Sequence, residues 1–364
     1  MHYHLLLTEL CNLKCRYCYE KSMNEFENGL DKKFKFVFSP KTEISVDDLK
    51  NFLDRDKEAV LVFYGGEPLL EIGKIKEIID NINIPFRMQT NGILLDKLPI
   101  EYLKKIQKIL ISIDGDKKRT DYNRGDGTYE KIINNIKKIK SEGYNGEIIA
   151  RMCISFADLF EQVLYLIKQG FDSIHWQLDV GFYKNDFNKK NFEKFVSEYN
   201  VSIKKLIDFW IKKMEDGIVL KLYPFIGIVN SLLKNEKTKL RCGSGHSGYA
   251  ITDSGKIVAC PIMNCIKNFE AGNLQSNPIK LKKFSVGGEC LVCDYLDLCG
   301  GRCLYANKAL LWPKEGRKLI CKTIKFYIKE LKEKMPEIRK IIEKGAIKED
   351  DFEYEKYFGP EIIP

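Results

Sequence analysis

The sequence predicts an α/β fold: a parallel sheet closed part-way round into an incomplete barrel of six strand and helix units, followed by a cysteine-rich region. Three observations predict it. From residue 3 to about 180, short apolar runs alternate with amphipathic stretches; the helical stretches open on cap signals; and eleven of the twelve cysteines fall into two groups, Cys11 to Cys18 and Cys242 to Cys321. Six strands each followed by a helix argue for parallel pairing through right-handed crossovers.

The strands, in order, are HYHLLLTE, EAVLVFYG, PFRMQT, KILISID, EIIARMCIS and DSIHWQLDV. Ser45 with Asp48 three residues on, and Thr128 after Gly127 ahead of YEKIINNIKKIK, read as helix caps. Cys153, alone in the fifth run, reads as a small buried strand residue. A helical stretch from about 190 to 234 leads to the second cysteine group, and TIKFYIKELKEKMPEIRKIIEK forms a C-terminal helix before an acidic, aromatic tail. Only residues 21–43 read as a long surface loop. Active sites of such barrels lie in the loops after the strands. There the sequence places Cys11 to Cys18, Gly65 to Pro68, Thr90 to Gly92 and Asp114, with His175 to Gln177 inside the sixth strand.

A chain of 364 residues that is 44% hydrophobic can build a large core. It has neither a signal-peptide pattern nor a run of eighteen apolar residues, which leaves the cytoplasm as the expected compartment and gives no support to a membrane span. Clustered cysteines in a reducing compartment point to metal binding or catalysis, not to disulfides. The net charge of +9 comes from lysines at helical spacing opposite Ile and Leu. That is a solvated helix surface, without the aromatic interleaving of a nucleic-acid groove.

Cys11, Cys15 and Cys18, spaced C-x3-C-x2-C after the first strand, offer three thiolates to three irons of one cubane. The fourth iron has no protein ligand nearby in sequence, and an iron left open can bind a substrate. A structural zinc would need a fourth His or Cys close by, and none lies within the next hundred residues.

These residues, with Tyr17 in the C-x3-C-x-aromatic-C signature, resemble the radical S-adenosylmethionine superfamily, and YGGEP at Tyr64 to Pro68 is similar to its GGEP segment. The resemblance implies a partial (β/α)6 barrel of the radical SAM type. It implies one catalytic 4Fe-4S cluster on Cys11, Cys15 and Cys18. It also implies that Gly65, Gly66, Glu67 and Pro68 hold the methionine ammonium of S-adenosylmethionine, the glycines letting backbone approach and Glu67 supplying opposite charge. Tyr17 would pack near the adenine, Asn91, Ser112 and Asp114 would line the cofactor pocket, and Arg124 would pair with the cofactor carboxylate.

The second group runs C-x12-G-x4-C from Cys242 through Gly255 to Cys260, then C-x2-C-x5-C-x3-C at Cys290, Cys293, Cys299 and Cys303, then Cys321. Two zinc ribbons are the plain alternative. The order resembles the SPASM domain of peptide-modifying radical enzymes, which implies one or two auxiliary iron–sulfur clusters. One would sit on Cys290, Cys293, Cys299 and Cys321, the other on Cys242, Cys260 and Cys303. The fourth ligand of the latter is open between Cys265, a substrate thiolate and, remotely, His246, which reads as a surface residue. The implied domains are 1–234, a barrel with a helical linker; 235–325, the auxiliary-cluster domain; and 326–364, the C-terminal helix and tail.

The resemblance implies an enzyme that cleaves S-adenosylmethionine to a 5'-deoxyadenosyl radical and modifies a peptide or protein by a crosslink, thioether, epimerisation or oxidation. An electron donor such as ferredoxin or flavodoxin would serve it. Formylglycine formation of the sulfatase-maturase kind is the nearest rival. Those enzymes carry an acidic residue after the cysteine matching Cys260, where this chain has Pro261. A small-molecule radical enzyme and a non-catalytic electron carrier are the others, though a carrier has no use for GGEP beside an open cluster. Because the first strand starts almost at once, no N-terminal leader-recognition module is expected.

Overall fold

The computed structural model describes residues 1–18, 29–37, 44–171, 173–179 and 187–358. The six expected strands are present as β1 (His2–Leu6), β2 (Val60–Tyr64), β3 (Phe86–Thr90), β4 (Ile106–Ser112), β5 (Glu147–Ile154) and β6 (Ser173–Leu178). A helix follows each, and the α/β reading holds. The chain divides into two compact units, Met1–Ala150 with Gly243–Ser285, and Arg151–Cys242 with Val286–Pro364, so the units interleave along the sequence.

In the first unit β1, β2, β3 and β4 pair side by side in parallel, with Leu6 opposite Tyr64, Phe63 opposite Met88 and Thr90 opposite Ile111. Parallel pairing brings the C-terminal ends of these strands to one edge, and with them the loops that carry the cysteines, GGEP, QTNG and SIDG. The strands are apolar on both faces: Leu5, Leu61, Phe63, Met88, Ile109 and Leu110 are all buried, as expected of a parallel sheet covered on both sides.

Four further strands are present, and sequence reasoning missed them. Strand β7 (Lys221–Leu222), in the second unit, pairs in parallel with β6 and breaks the 190–234 stretch into the helices Lys189–Glu215 and Tyr223–Leu233. In the first unit, β8 (Gly248–Ile251) pairs in parallel with the free side of β1, and β9 (Lys256–Val258) and β10 (Glu270–Asn273) continue antiparallel from it. That makes four missed strands in all, three of them between the second group's first cysteine and its C-x2-C pair.

Ser45 caps the helix Val46–Leu53 by accepting from Asp48 N at 3.3 Å, as its spacing predicts. Thr128 is not a cap. It is the first residue inside the helix Thr128–Ser141, behind Gly127 in the left-handed region, and the side chain of Asp121 accepts from Tyr129 N at 2.8 Å in its place. The C-terminal helix begins nine residues earlier than the periodicity suggests, at Lys314, and runs to Glu343, which puts Cys321 inside it. Cys153 is a buried residue of β5. Of the long loop at 21–43, residues 21–28 and 38–43 lie outside the described residues. Residues 29–37 pair instead of looping free: Val37 N donates to Cys265 O, and Lys267 N to Lys35 O. The end of the acidic tail, 359–364, is likewise outside them.

Candidate active site

The loop after β1 carries Cys11, Cys15 and Cys18 and is held by the segment after β2. Gly66 N donates to Thr8 O at 2.8 Å and Glu67 N to Leu10 O at 2.9 Å. A Cβ on Gly65 would lie 2.4 Å from Thr8 O, and one on Gly66 2.4 Å from Leu10 O and 2.5 Å from Glu9 O. Only glycine permits this approach, with Gly65 at φ +154°. The two glycines thus press against the protein's own cysteine loop, a job that comes before any cofactor contact.

Glu67 is fully buried and braces the next loop. Its carboxylate accepts from Leu69 N (3.1 Å), Thr90 Oγ1 (2.7 Å) and Asn91 N (2.8 Å). Burial pushes the carboxyl up, and the three donors pull it back. Asn91, so positioned, reaches the cysteine loop through Nδ2, to Asn12 Oδ1 at 2.7 Å and Cys11 Sγ at 3.7 Å. The sequence places Thr90 in the loop with Asn91, but nothing in QTNG marks it as a donor to Glu67. Replacing Glu67 with Ala leaves three donors without an acceptor, and each unmet buried group costs about 1–3 kcal/mol. A destabilisation of about 3 kcal/mol or more is expected, read as a lower denaturation midpoint with an unchanged slope.

Asp114, just beyond β4 and buried, collects four donors: Tyr17 OH at 2.5 Å, Asn123 Nδ2 at 3.1 Å, and Arg124 Nε and Nη2 at 3.0 Å each. Burial alone would lower the Arg124 guanidinium, but the Asp114 charge outweighs it and keeps Arg124 ionised. Arg124, expected to face a cofactor carboxylate, is therefore bidentate to a carboxylate of its own chain, and its guanidinium also lies 5.3 Å from the centre of the Tyr17 ring. Pro68 is buried in the first position of the 3-10 turn Pro68–Glu71, and Ser112 ends β4 half-buried. His175 and Trp176 are buried core residues of β6.

The thiols of the first group suit a cluster. Leu13 N and Asn91 Nδ2 point at Cys11 Sγ, at 3.4 and 3.7 Å. Burial pushes Cys11 and Cys15 up, and the charge of Arg124 draws Cys15 back toward thiolate. Among the described residues no group of three or more His, Cys, Asp or Glu side chains is gathered as a site for a single metal ion.

In the second unit, burial pushes the Cys299 thiol up to about 11, while the backbone N–H groups of Gly301 and Arg302 donate to it. Cys290, Cys293, Cys299 and Cys321 lie near enough that Cys321 and Cys293 act on Cys290, Cys321 and Cys290 on Cys299, and Cys293 on Cys321. Asn307 Nδ2, which nothing in the sequence marks, donates to Cys290 Sγ at 3.5 Å. Gly300 lets the loop pass Lys239 O, which a Cβ would meet at 1.8 Å. Cys303 accepts from Ala306 N.

Cys260 and Cys265 belong to the first unit, Cys242 and Cys303 to the second. Cys265 stands at φ +63°, half-buried, on a cavity of about 320 Å³ lined by Glu9, Asp253, Asn264 and Glu270 among others. Burial first, then Glu9 and Asp253, push its thiol up to about 11. His246 is half-buried with Nδ1 against Ser247 Oγ.

The family model of the Radical SAM superfamily matches residues 5–177. The chain is 24% identical over 332 residues to the radical SAM cyclopropyl synthase TigE of Paramaledivibacter caminithermalis, covering 83% of this chain and 67% of that protein. It is 22% identical over 323 residues to a cysteine-type anaerobic sulfatase-maturating enzyme of Clostridium perfringens, covering 80% and 85%. Among solved structures, anSMEcpe with bound AdoMet and Cp18Cys peptide superposes with a TM-score of 0.69 at 18% identity, over 93% of this chain and 99% of that one. SuiB of Streptococcus suis bound to its precursor peptide SuiA gives 0.52 at 15% identity, over 84% and 72%.

Proposed function

With a radical SAM domain at residues 5–177, we propose that this chain is a radical SAM and SPASM enzyme that modifies a peptide or protein side chain. The observation that carries the reading is the loop after β1, where three thiols stand together with no fourth Cys or His in the loop, pressed into place by Gly65 and Gly66. Cys11, Cys15 and Cys18 would hold the catalytic 4Fe-4S cluster. Tyr17, Gly65, Gly66, Glu67, Pro68, Asn91, Ser112, Asp114 and Arg124 would line the site for S-adenosylmethionine. Held by these residues, the cluster and S-adenosylmethionine would supply one-electron radical chemistry able to take hydrogen from a substrate. Glu67 fixes Asn91, and the Asp114 and Arg124 pair fixes Tyr17, so the walls of the site are built before the cofactor enters.

The auxiliary clusters would use Cys290, Cys293, Cys299 and Cys321, and Cys242, Cys260 and Cys303 with Cys265 or an open position. The catalytic motifs run within 1–234 and the auxiliary cysteines within 235–325, where the helix Lys314–Glu343 already begins; the rest of that helix and the tail fill 326–364. Among the described residues no helix is long and apolar enough to cross a membrane. The same reading takes the enzyme as cytoplasmic and served by a ferredoxin or flavodoxin. A peptide or protein substrate is supported by likeness to the sulfatase-maturating enzyme and to anSMEcpe and SuiB, both solved with a bound peptide.

Formylglycine formation is a second reading, favoured by the likeness to anSMEcpe over 93% of this chain and opposed by Pro261. A cysteine-containing sulfatase peptide separates the two: formylglycine in the product, found by mass spectrometry, would establish the second. For the first, anaerobically reconstituted protein is expected to bind about twelve irons if three clusters form, about four fewer if one auxiliary site stays empty. Reduced, it is expected to release 5'-deoxyadenosine from S-adenosylmethionine. About four irons with two zincs would overturn the SPASM assignment.

A further inference from the structure

The surface around Cys290, Cys293 and Cys321 has a composition the chemistry above does not use. Between Cys290 and Cys293 lie Leu291 and Val292, 63% and 86% exposed. Two neighbouring large apolar side chains held in water, on a segment fixed at both ends by cysteines, are not a packing residue of the fold. Alongside them runs the start of the helix Lys314–Glu343, reading KEGRKLICKTIKFYIK, with six cations and one acid from Lys314 to Lys329.

At about 100° per residue, Lys314, Lys318, Lys322, Lys325 and Lys329 fall within an arc of about 80°, and Cys321 lies at its edge. The buried residues Ile320, Thr323, Ile324, Tyr327 and Leu331 take the opposite side. The arc adjoins the apolar pair: Lys314 Nζ is 3.2 Å from Glu289, and Lys325 Nζ is 5.5 Å from the centre of the Tyr295 ring. Like charges at i, i+4 destabilise a helix. The ends of the arc meet acids, Lys314 with Glu289 and Lys329 with Glu333. Lys318, Lys322 and Lys325 form a row of one sign beside an exposed cysteine. An apolar centre with a charged rim is the anatomy of a transient protein contact, whose charges steer encounter more than they add affinity.

We propose that this face, Leu291 and Val292 rimmed by Lys318, Lys322 and Lys325, is the docking surface for an acidic one-electron carrier protein, and that electrons pass there between the carrier and the cluster on Cys290, Cys293, Cys299 and Cys321. The proposal rests on the assignment of an auxiliary cluster to those four cysteines. The exchange moves one electron: a reduced ferredoxin is oxidised by one electron, the cluster is reduced by one, and no bond or proton moves.

The test uses the full, reconstituted protein and a reduced acidic 2Fe-2S ferredoxin, with cluster reduction followed by stopped-flow absorbance and freeze-quench EPR. The wild-type second-order rate is expected to fall steeply as salt rises. A Lys318→Glu, Lys322→Glu, Lys325→Glu variant is expected to react at least about tenfold slower with the ferredoxin at low salt, and at the wild-type rate with dithionite at high salt, where the charge of that small anion is screened. A Leu291→Ser, Val292→Ser variant is expected to lose rate with the ferredoxin at both low and high salt. Equal ferredoxin rates in the lysine variant and wild type, with the cluster's EPR signal intact, would overturn the docking proposal alone. Absence of that EPR signal and of its four irons from the wild-type protein would overturn the cluster assignment, and the proposal with it.

Discussion

Changing Cys11, Cys15 and Cys18 together to Ala is expected to abolish reductive cleavage of S-adenosylmethionine while leaving the auxiliary clusters in place. The three thiols sit in the first unit, in one loop after β1. The four thiols Cys290, Cys293, Cys299 and Cys321 sit in the second and act on one another there. Removing one set takes no ligand from the other. The measurement is 5'-deoxyadenosine by chromatography beside iron count and EPR of the same sample. About four irons should be lost and the auxiliary signals kept. Cleavage at the normal rate in the triple variant would contradict the assignment of the catalytic cluster.

The second large effect is expected at Asp114. Its pair with Arg124 is dry, with the Asp114 side chain fully buried and that of Arg124 only 7% exposed. Breaking a buried pair from one side strands the other charge, which costs about 3–5 kcal/mol. At about 2–4 °C per kcal/mol for a domain of this size, Asp114→Ala should lower the melting temperature by about 10 °C. Tyr17 would lose its acceptor as well, which ties the fold of the cysteine loop to the same carboxylate. An Asp114→Ala, Arg124→Met double variant, with no stranded charge, should recover part of the loss. If Asp114→Ala melts with the wild type, the pair is not the brace its geometry indicates.

Some of this site is legible in the chain before any folding is considered. The C-x3-C-x2-C loop and GGEP lie next to the strands that position them, so spacing and local pattern suffice. The alternation of apolar runs and helices fixes parallel pairing, and parallel pairing puts all the motif loops on one edge. The roles inside the site are less legible. Glycines at 65 and 66 are visible as glycines, but that Thr8 and Leu10 fill the space beside them depends on how two strands align. The partner of Arg124 is equally hidden, since an arginine ten residues after an aspartate in sequence carries no mark that the two will be desolvated together.

The sequence by itself determined the strand and helix alternation, the two cysteine groups and the loops that bear the chemistry, because each is a local pattern of period, cap or spacing. Tertiary structure alone decided that β8 to β10 extend the sheet from β1, that Glu67 and Asp114 are buried hubs for neighbouring loops, and that Cys321 shares a helix face with a row of lysines. The physical reason is that pairing partners and burial depend on which distant segments meet. A free sheet edge accepts any strand of matching pattern, and the side chains beside it are desolvated only once that choice has been made.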